Sequence, residues 1–575
     1  MKRKLNQIKF LGFLSIVVFC FGSTFTGATA AQENQRSQTR AKPTPTLTPT
    51  PNQTLTPRPI VSPVPIVTPT ATPVPVQTIA DLQSRVRFAL SRPEVRRGQI
   101  GVKVVSLDTN RVVFEENAEK YFMPASNMKS YTIAAALEKL SPDFRFVTSV
   151  YAPAMPDASG LIRGDVTVYG RGDVSLSFAF FDGDYLKGVD NLATAIALAG
   201  VKRIEGNLIG DDSYFSGDTL PAGWEWDDLQ WNSGAEPSAL TVNNNVIDLT
   251  VKPSASTGAP CVVQFLPFNP VVRVVNRCTT APSGAKRDLR VFKKLDQNTI
   301  EISGTLSADD KGFSNVVTVS RPSELFLALL RQLLIQKGVV ITGQNRVVGA
   351  KDKPSPPLAA ASNAFVSTAA PVEIAKLASP PLSLIAAKTM KPSQNLYTEN
   401  ILRVLGEQMK TLSAQNPALP PDNPFVNPKA DSARRGIFAI QNFLSEIGVA
   451  PDSVIQHDGS GLSRHNLVTP ASSVQLYSYM ARSRYADVWR DTLPIGAVDG
   501  TLRNRFAGTS AAGNARAKTG TIDQVSALSG YVTTASGERL VFSIVVNGVA
   551  VSSVRQSVID EIVVALANFN GKSGQ

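Results

Sequence analysis

Histidine is almost missing from this chain, with two in 575 residues. Two imidazoles cannot supply a usual zinc site, and there is no Cys/His cluster, HExxH run or EF-hand loop, so no metal is expected. Cysteine is nearly as scarce at three residues, and Cys20 falls inside an apolar leader. Phe19 before it is bulky where a lipoprotein signal wants a small residue, so Cys20 is not read as a lipid anchor. After the leader no stretch of about 18 apolar residues occurs, and no stable membrane span is expected. Long basic runs, interleaved aromatics and zinc-finger spacings are also lacking. The formal charge of +12 includes Lys2, Arg3, Lys4 and Lys9, and the rest is scattered. No nucleic-acid partner is expected from such a distribution.

The N-terminus carries a signal of its own. A basic start precedes "FLGFLSIVVFCFG", and Ala28-Thr29-Ala30 offers a small-x-small cleavage site. Residues 1–30 therefore read as a secretory signal peptide. Residues 31–78 form a Pro/Thr-rich linker, in which eleven prolines fall between Pro43 and Pro75. Such a segment forms extended polyproline II, reaching roughly 100 Å at about 3.1 Å per residue. The expected destination is the periplasm or the cell wall and extracellular space, with the cleaved protein soluble. In an oxidising compartment Cys261 and Cys278 read either as a disulfide closing a short loop or as two buried free thiols.

The folded part begins with an amphipathic helix, "LQSRVRFALSR". "IGVKVVSLDTNRVVFEEN" follows, alternating apolar and polar residues on both sides of an Asp-Thr-Asn turn, which predicts a β-hairpin. Far along the chain, "NARAKTGTI", "SALSGYVTT" and "ERLVFSIVVNG" read as three more antiparallel strands, closed by the helix "SVRQSVIDEIVVALANF". Neither group makes a stable sheet alone. The fold class expected is therefore multidomain α/β. Residues 79–146 and 372–575 build one five-stranded antiparallel sheet with helices on both faces. Residues 147–371 contribute a mostly β insertion of one or two domains, interrupted by the single helix "RPSELFLALLRQLLIQKG".

Three short motifs carry chemistry. Ser126 and Lys129, three residues apart ahead of an apolar alanine-rich run, are read as neighbours on one helix. Ser393-Gln394-Asn395 lies in a connector between two helical patterns. Lys518-Thr519-Gly520-Thr521 lies on an edge strand, where small Gly520 would let a ligand lie alongside and the two threonines offer hydroxyls. Copies at Ser283–Lys286 and Lys572–Gly574 lack the helix and the strand. The order S-x-x-K, S-x-N, K-T-G on helix, loop and strand is shared by penicillin-binding proteins and serine β-lactamases.

With these motifs the chain resembles the D-alanyl-D-alanine carboxypeptidase/endopeptidase group of low-molecular-mass penicillin-binding proteins, the class C type. Its members carry two extra domains between the first and second motifs, and here a long separation divides Ser126 from Ser393. "GWEWDDLQW", "SALTVNNNV", "HDGSGLSRHNLVTP" and "LPIGAVDGTLRNRF" also match. "GRGDVSLS" departs from the pattern by lacking a third glycine and a proline after the aspartate. The resemblance implies an inserted domain II in two parts, 147–246 and 319–371, flanking an inserted domain III at 247–318.

It also implies a serine peptidase acting on peptidoglycan stem peptides, acylated by β-lactams as covalent inhibitors and needing no cofactor. Ser126 would be the nucleophile and Lys129 its base, with the amine discharged by burial and by the neighbouring cation Lys518. Ser393 would relay a proton to the leaving amine. Asn395 would bind the substrate amide, and Lys518, Thr519 and Thr521 its carboxylate. Backbone N–H groups of Ser126 and Thr521 would form the oxyanion hole. Asp228, with Asp227 as rival, would bind a free amine on the stem peptide. Monomer and homodimer stay open.

Two other readings are set against this one. A serine β-lactamase would share the motifs but has no use for the insertion, and Glu399 is read as facing away from the site. A non-catalytic penicillin- or wall-binding protein would not need the Ser/Lys/Ser set. A Ser-His-Asp site from His457, Asp458 and Ser460 is disfavoured, since adjacent residues point to opposite sides.

Overall fold

The computed structural model describes residues 76–352, 370–414 and 419–574. The expected signal peptide, and the linker up to residue 75, lie outside the described residues. Helix α1 (Ile79–Leu90) opens with a capping box, in which Thr78 and Asp81 exchange side-chain and backbone hydrogen bonds. Strands β1 (Gln99–Ser106) and β2 (Val112–Glu116) follow as the predicted hairpin. Helix α2 (Met128–Leu140) comes next, and its first ten residues are all buried. Ile133 and Leu137, one turn apart, contribute about 1.5–3 kcal/mol each through that burial, while Ala134, Ala135 and Ala136 let neighbouring helices approach.

Among its described residues the inserted segment holds two α-helices rather than the one expected, α3 (Lys187–Leu198) and α4 (Pro322–Gln336). In α3 the buried positions Val189, Leu192, Ala193 and Ile196 follow the i, i+3, i+4, i+7 rule, a helical period that the short surrounding β-like runs obscured. Five strands make one sheet here, in the order 345–348, 208–211, 166–169, 147–152, 372–378. Two three-stranded sheets occupy 246–318, and Cys261 and Cys278 are joined as a disulfide between them. The strand Val372–Ala378 pairs antiparallel with Val147–Ala152. The boundary expected at 371/372 therefore falls before the last strand of the inserted sheet. The chain enters and leaves the insertion on neighbouring strands, as an inserted unit with adjacent ends must.

After the insertion come α5 (Leu382–Met390), α6 (Asn395–Ser413), α7 (Ser432–Glu446), α8 (Pro470–Met480) and α9 (Ala486–Thr492). Strands β3 (Arg516–Ile522), β4 (Val525–Thr533) and β5 (Arg539–Asn547) and helix α10 (Ser552–Asn568) complete the chain. The sheet order is β3-β4-β5-β1-β2, antiparallel throughout. Helices cover both faces, so β5 reads as a nearly continuous apolar run. On one face α1 and α10 pack Leu82, Val86 and Ile562 against Val104, Phe542 and Ile544. On the other, Tyr531 of β4 donates to the carbonyl of Tyr477 on α8 at 2.7 Å and accepts from Trp489 on α9 at 2.9 Å. Helix α2 is tied to α8 by Tyr131 with Ser472 and by Ser130 with Tyr477, each at 2.8 Å. Among the described residues no helix is long and apolar enough to cross a membrane.

Candidate active site

Ser126 does not share a regular helix with Lys129. It sits in a 3-10 turn, Ala125–Asn127, leading into α2, and Ala125 before it takes a left-handed φ of 46°. That turn brings the Ser126 hydroxyl to 2.9 Å from Lys129 Nζ. The amine also meets Asn395 Oδ1 at 2.5 Å and the carbonyl of Ser460 at 2.7 Å. Both of these partners can only accept. A neutral amine has two N–H bonds and one lone pair, so the two acceptors take the hydrogens and the lone pair faces the Ser126 hydroxyl. The geometry thus suits proton removal from Ser126.

Lys129 is completely buried. Burial pushes its amine down to about 7, against the opposite pull of Asp458 and Glu399. Desolvation is therefore the cause, and the expected discharge by Lys518 is a correction: the two amines do repel, but it is Lys518 that burial and Lys129 together hold well below the ordinary lysine range. Lys518 Nζ donates to Ser393 Oγ at 2.8 Å and to the carbonyl of Thr519 at 2.8 Å. Ser393 occupies the link between α5 and α6 with φ 64°, a conformation that is costly for a residue with a side chain and common at functional sites.

On β3 the N–H of Ala517 points outward to the carbonyl of Pro494 at 3.0 Å. The alternate residues Thr519 and Thr521 share that outward direction, along the open edge of the sheet. Thr519 Oγ1 lies 2.7 Å from Thr501 Oγ1, and Thr521 is exposed. Gly520 has a different reason for being small than the one expected. A methyl group there would stand 2.4 Å from the carbonyl oxygen of Pro124 and 2.9 Å from Asn127 Nδ2. It lets the strand close on the Ser126 turn, and Asn127 Nδ2 donates across this contact to the carbonyl of Lys518 at 3.2 Å.

Glu399 does not face away. Positions i and i+4 share a helix face, and Glu399 lies fully buried on the same side as Asn395. Its Oε1 accepts the N–H groups of Gly459 and Ser460 at 2.9 and 2.8 Å. Burial and then Asp458 push its carboxyl up to about 7. Asp458 anchors the same loop, accepting from the N–H groups of Gly461 and Ser463 at 2.7 Å and from Trp224 Nε1 at 2.9 Å. His457 is exposed and turned away toward His465, so no Ser-His-Asp site forms.

Asp228 stands apart from this cluster, in a 3-10 turn on the segment that carries Trp224. That segment reaches the cluster at Ser233, whose carbonyl accepts from Asn395 Nδ2 at 2.8 Å. Asp228 is half-buried while Asp227 is exposed, and burial pushes its carboxyl up to about 6. Among the described residues no group of three or more His, Cys, Asp or Glu is placed to hold a metal ion.

The family described as D-Ala-D-Ala carboxypeptidase 3 (S13) matches residues 82–421 and 423–569. The chain belongs to this family. It is 32% identical over 504 residues to a D-alanyl-D-alanine carboxypeptidase of Actinomadura sp., covering 86% of each chain. It is 25% identical over 455 residues to the D-alanyl-D-alanine carboxypeptidase DacB of Haemophilus influenzae, covering 78% of this chain and 85% of that one. The crystal structure of penicillin-binding protein 4 from Haemophilus influenzae shares its fold, with a TM-score of 0.69 and 24% identity over 86% of this chain and 100% of that one.

For this S13-family chain, sequence motifs missed three contributors: the Ser460 carbonyl, the Thr501 hydroxyl and the Glu399 carboxylate. Two of them lie in "HDGSGLSRHNLVTP" and "DGTLRNRF", stretches that matched the resemblance without a motif of their own. A backbone carbonyl leaves no residue-type signal.

Proposed function

We propose that this serine DD-peptidase removes terminal D-alanine from peptidoglycan stem peptides, or cleaves D-alanine cross-links, through an acyl-enzyme at Ser126. One observation carries the reading: a buried amine held near neutral pKa, with its lone pair left for the Ser126 hydroxyl. Lys129 takes the hydroxyl proton as Ser126 attacks the carbonyl of the penultimate D-alanine. Ser393, bonded to Lys518, passes a proton to the departing amine, and the C–N bond breaks. Water then hydrolyses the ester.

Charge that develops on the carbonyl oxygen falls at the start of α2, whose dipole favours it, between the backbone N–H groups of Ser126 and Thr521. Lys518, Thr519 and Thr521 receive the terminal carboxylate, and Asn395 receives the amide of the bound strand. Asp228 receives a cationic amine on the stem peptide, whose arrival would ionise a carboxyl lifted by burial. β-Lactams acylate Ser126 because their ring carbonyl enters the same position.

The leader supports export, and the bridged Cys261 and Cys278 suit an oxidising compartment. Timing of the adduct formed with a fluorescent penicillin separates the alternatives. Slow release together with D-alanine freed from a pentapeptide supports the peptidase, rapid release a β-lactamase, and no adduct a binding protein.

A further inference from the structure

One buried ion pair has no part in the chemistry proposed above. Glu399 lies one turn along α6 from Asn395, and Arg403 one turn further, with side chains 0% and 3% exposed. A charged pair so deep is tolerated only when its other hydrogen-bonding positions are used. Here they are used. Glu399 Oε1 holds the N–H groups of Gly459 and Ser460, and Oε2 faces Arg403 Nη1 at 3.3 Å. Arg403 Nη2 donates to the carbonyls of Thr219 at 3.1 Å and Asp218 at 3.4 Å, both in the inserted segment. Ser460, whose N–H Glu399 holds, presents its carbonyl to Lys129.

We propose that Glu399 and Arg403 are positioning residues for Lys129, through which the inserted segment at Asp218 and Thr219 holds the Ser460 carbonyl against the amine, together with the negative charge that Glu399 carries when ionised.

Two physical effects follow. If the Ser460 carbonyl shifts, one amine N–H loses its acceptor and turns toward the Ser126 oxygen, so the lone pair no longer faces the hydroxyl. The negative charge also offsets part of the desolvation that strips Lys129 of its proton, keeping the amine a stronger base than burial alone would leave. The charged groups facing Glu399 are Arg403 on its own helix, Asp458 on the loop and Lys129 on α2. Lys518 faces Lys129 from β3. Asp458 spends its oxygens on its own loop, Asn466 and Trp224, which leaves Glu399 as the carboxylate that holds the Ser460 N–H. On this account the insertion acts on the chemistry and does more than frame the cleft.

The inference rests on Lys129 as the base, and its test keeps the two apart. The second-order rate of acylation by a fluorescent penicillin is measured across the neutral pH range for the wild type, Glu399→Gln and the double variant Glu399→Gln/Arg403→Met. Glutamine keeps an oxygen for both loop N–H groups and removes the charge, but it turns an NH2 toward Arg403 Nη1 in place of the accepting Oε2. The double variant leaves a neutral buried pair and guards against misfolding, which thermal melts monitor. In whichever variant folds, the maximal rate is expected to fall about tenfold, less than the roughly 10²–10⁴-fold that losing the base itself would cost, because Lys129 is displaced and not removed. The acidic limb of the profile is expected to move about one unit to lower pH, the effect of losing one nearby opposite charge. A folded variant whose limb stays in place, with the rate unchanged or merely scaled, overturns the proposal. Wild-type acylation by Lys129→Met instead removes the base assignment, and this proposal with it.

Discussion

A methyl group on Gly461 would stand 1.9 Å from the carbonyl oxygen of Ala125. Ala125 is the residue before the nucleophile and already has a left-handed φ of 46°, and Gly461 itself has φ 81°. The Asp458 loop is thus wedged under the Ser126 turn. Gly461→Ala is expected to destabilise the fold by roughly 1–3 kcal/mol, the usual cost of overpacking. Because the displaced atom adjoins Ser126, acylation by penicillin should fall well beyond what the change in melting temperature accounts for. A loss of stability with the acylation rate intact would mean the loop does not shape the turn.

Acylation should depend on pH through Lys129. Its amine must be neutral to act, so the rate is expected to rise as pH increases through about 7. Lys129→Met should lose roughly 10²–10⁴-fold, the range for a positioned base. The sign for stability is opposite to that for function. The unfolded chain holds this proton up to an ordinary lysine pKa of about 10.4, so the folded state is penalised at neutral pH and gains stability as pH rises from about 7. Lys129→Met should therefore melt at a higher temperature than the wild type at pH 7 while failing to acylate. Thermal melts at neutral pH check the first part and stopped-time labelling the second.

Much of this site was legible because its motifs are local. Ser126 with Lys129, Ser393 with Asn395, and Lys518 through Thr521 each sit on one short segment, although Ser126 itself lies in a 3-10 turn before the helix that its neighbours announce. What was illegible depends on packing between segments. The cause of the low Lys129 pKa lay in how completely α2 is enclosed, which no residue count conveys. Gly520 reads as a space for ligand, yet Pro124 fills that space from a distant part of the chain. Glu399 was within reach of sequence reasoning, since four residues on a helix return to the same face, but its partner is a pair of backbone N–H groups. The second helix of the insertion was present as apolar spacing from Val189 to Ile196 and was hidden among β-like runs.

Asp228 should matter for substrates that bear a side-chain amine and not for penicillin, which lacks one. Asp228→Asn is expected to lower kcat/KM roughly tenfold or more for a stem peptide with a free amine, leaving penicillin acylation within about twofold. A buried charge-assisted hydrogen bond contributes roughly 1.5–3 kcal/mol, which sets that scale. Since burial lifts this carboxyl to about 6, the preference for the amine-bearing peptide should strengthen as pH rises through that value. Equal turnover of amine-bearing and acetylated peptides by the wild type would remove Asp228 from substrate binding.

The Cys261–Cys278 bridge closes a short loop within the inserted sheets, at a sequence separation of 17. Chain-entropy reasoning assigns such a loop about 3 kcal/mol. Replacing both cysteines with serine should lower the melting temperature while the folded fraction acylates at the wild-type rate, because the bridge touches none of the catalytic groups. A proportional loss of acylation would tie these sheets to the cleft.

Peptide mapping by mass spectrometry of the protein quenched after exposure to benzylpenicillin tests the central chemistry most directly. The account places one penicilloyl group on Ser126, with none recovered from Ser126→Ala although that variant melts as the wild type does. A group carried by Ser460, Ser393 or any other residue, or persisting in Ser126→Ala, would contradict it.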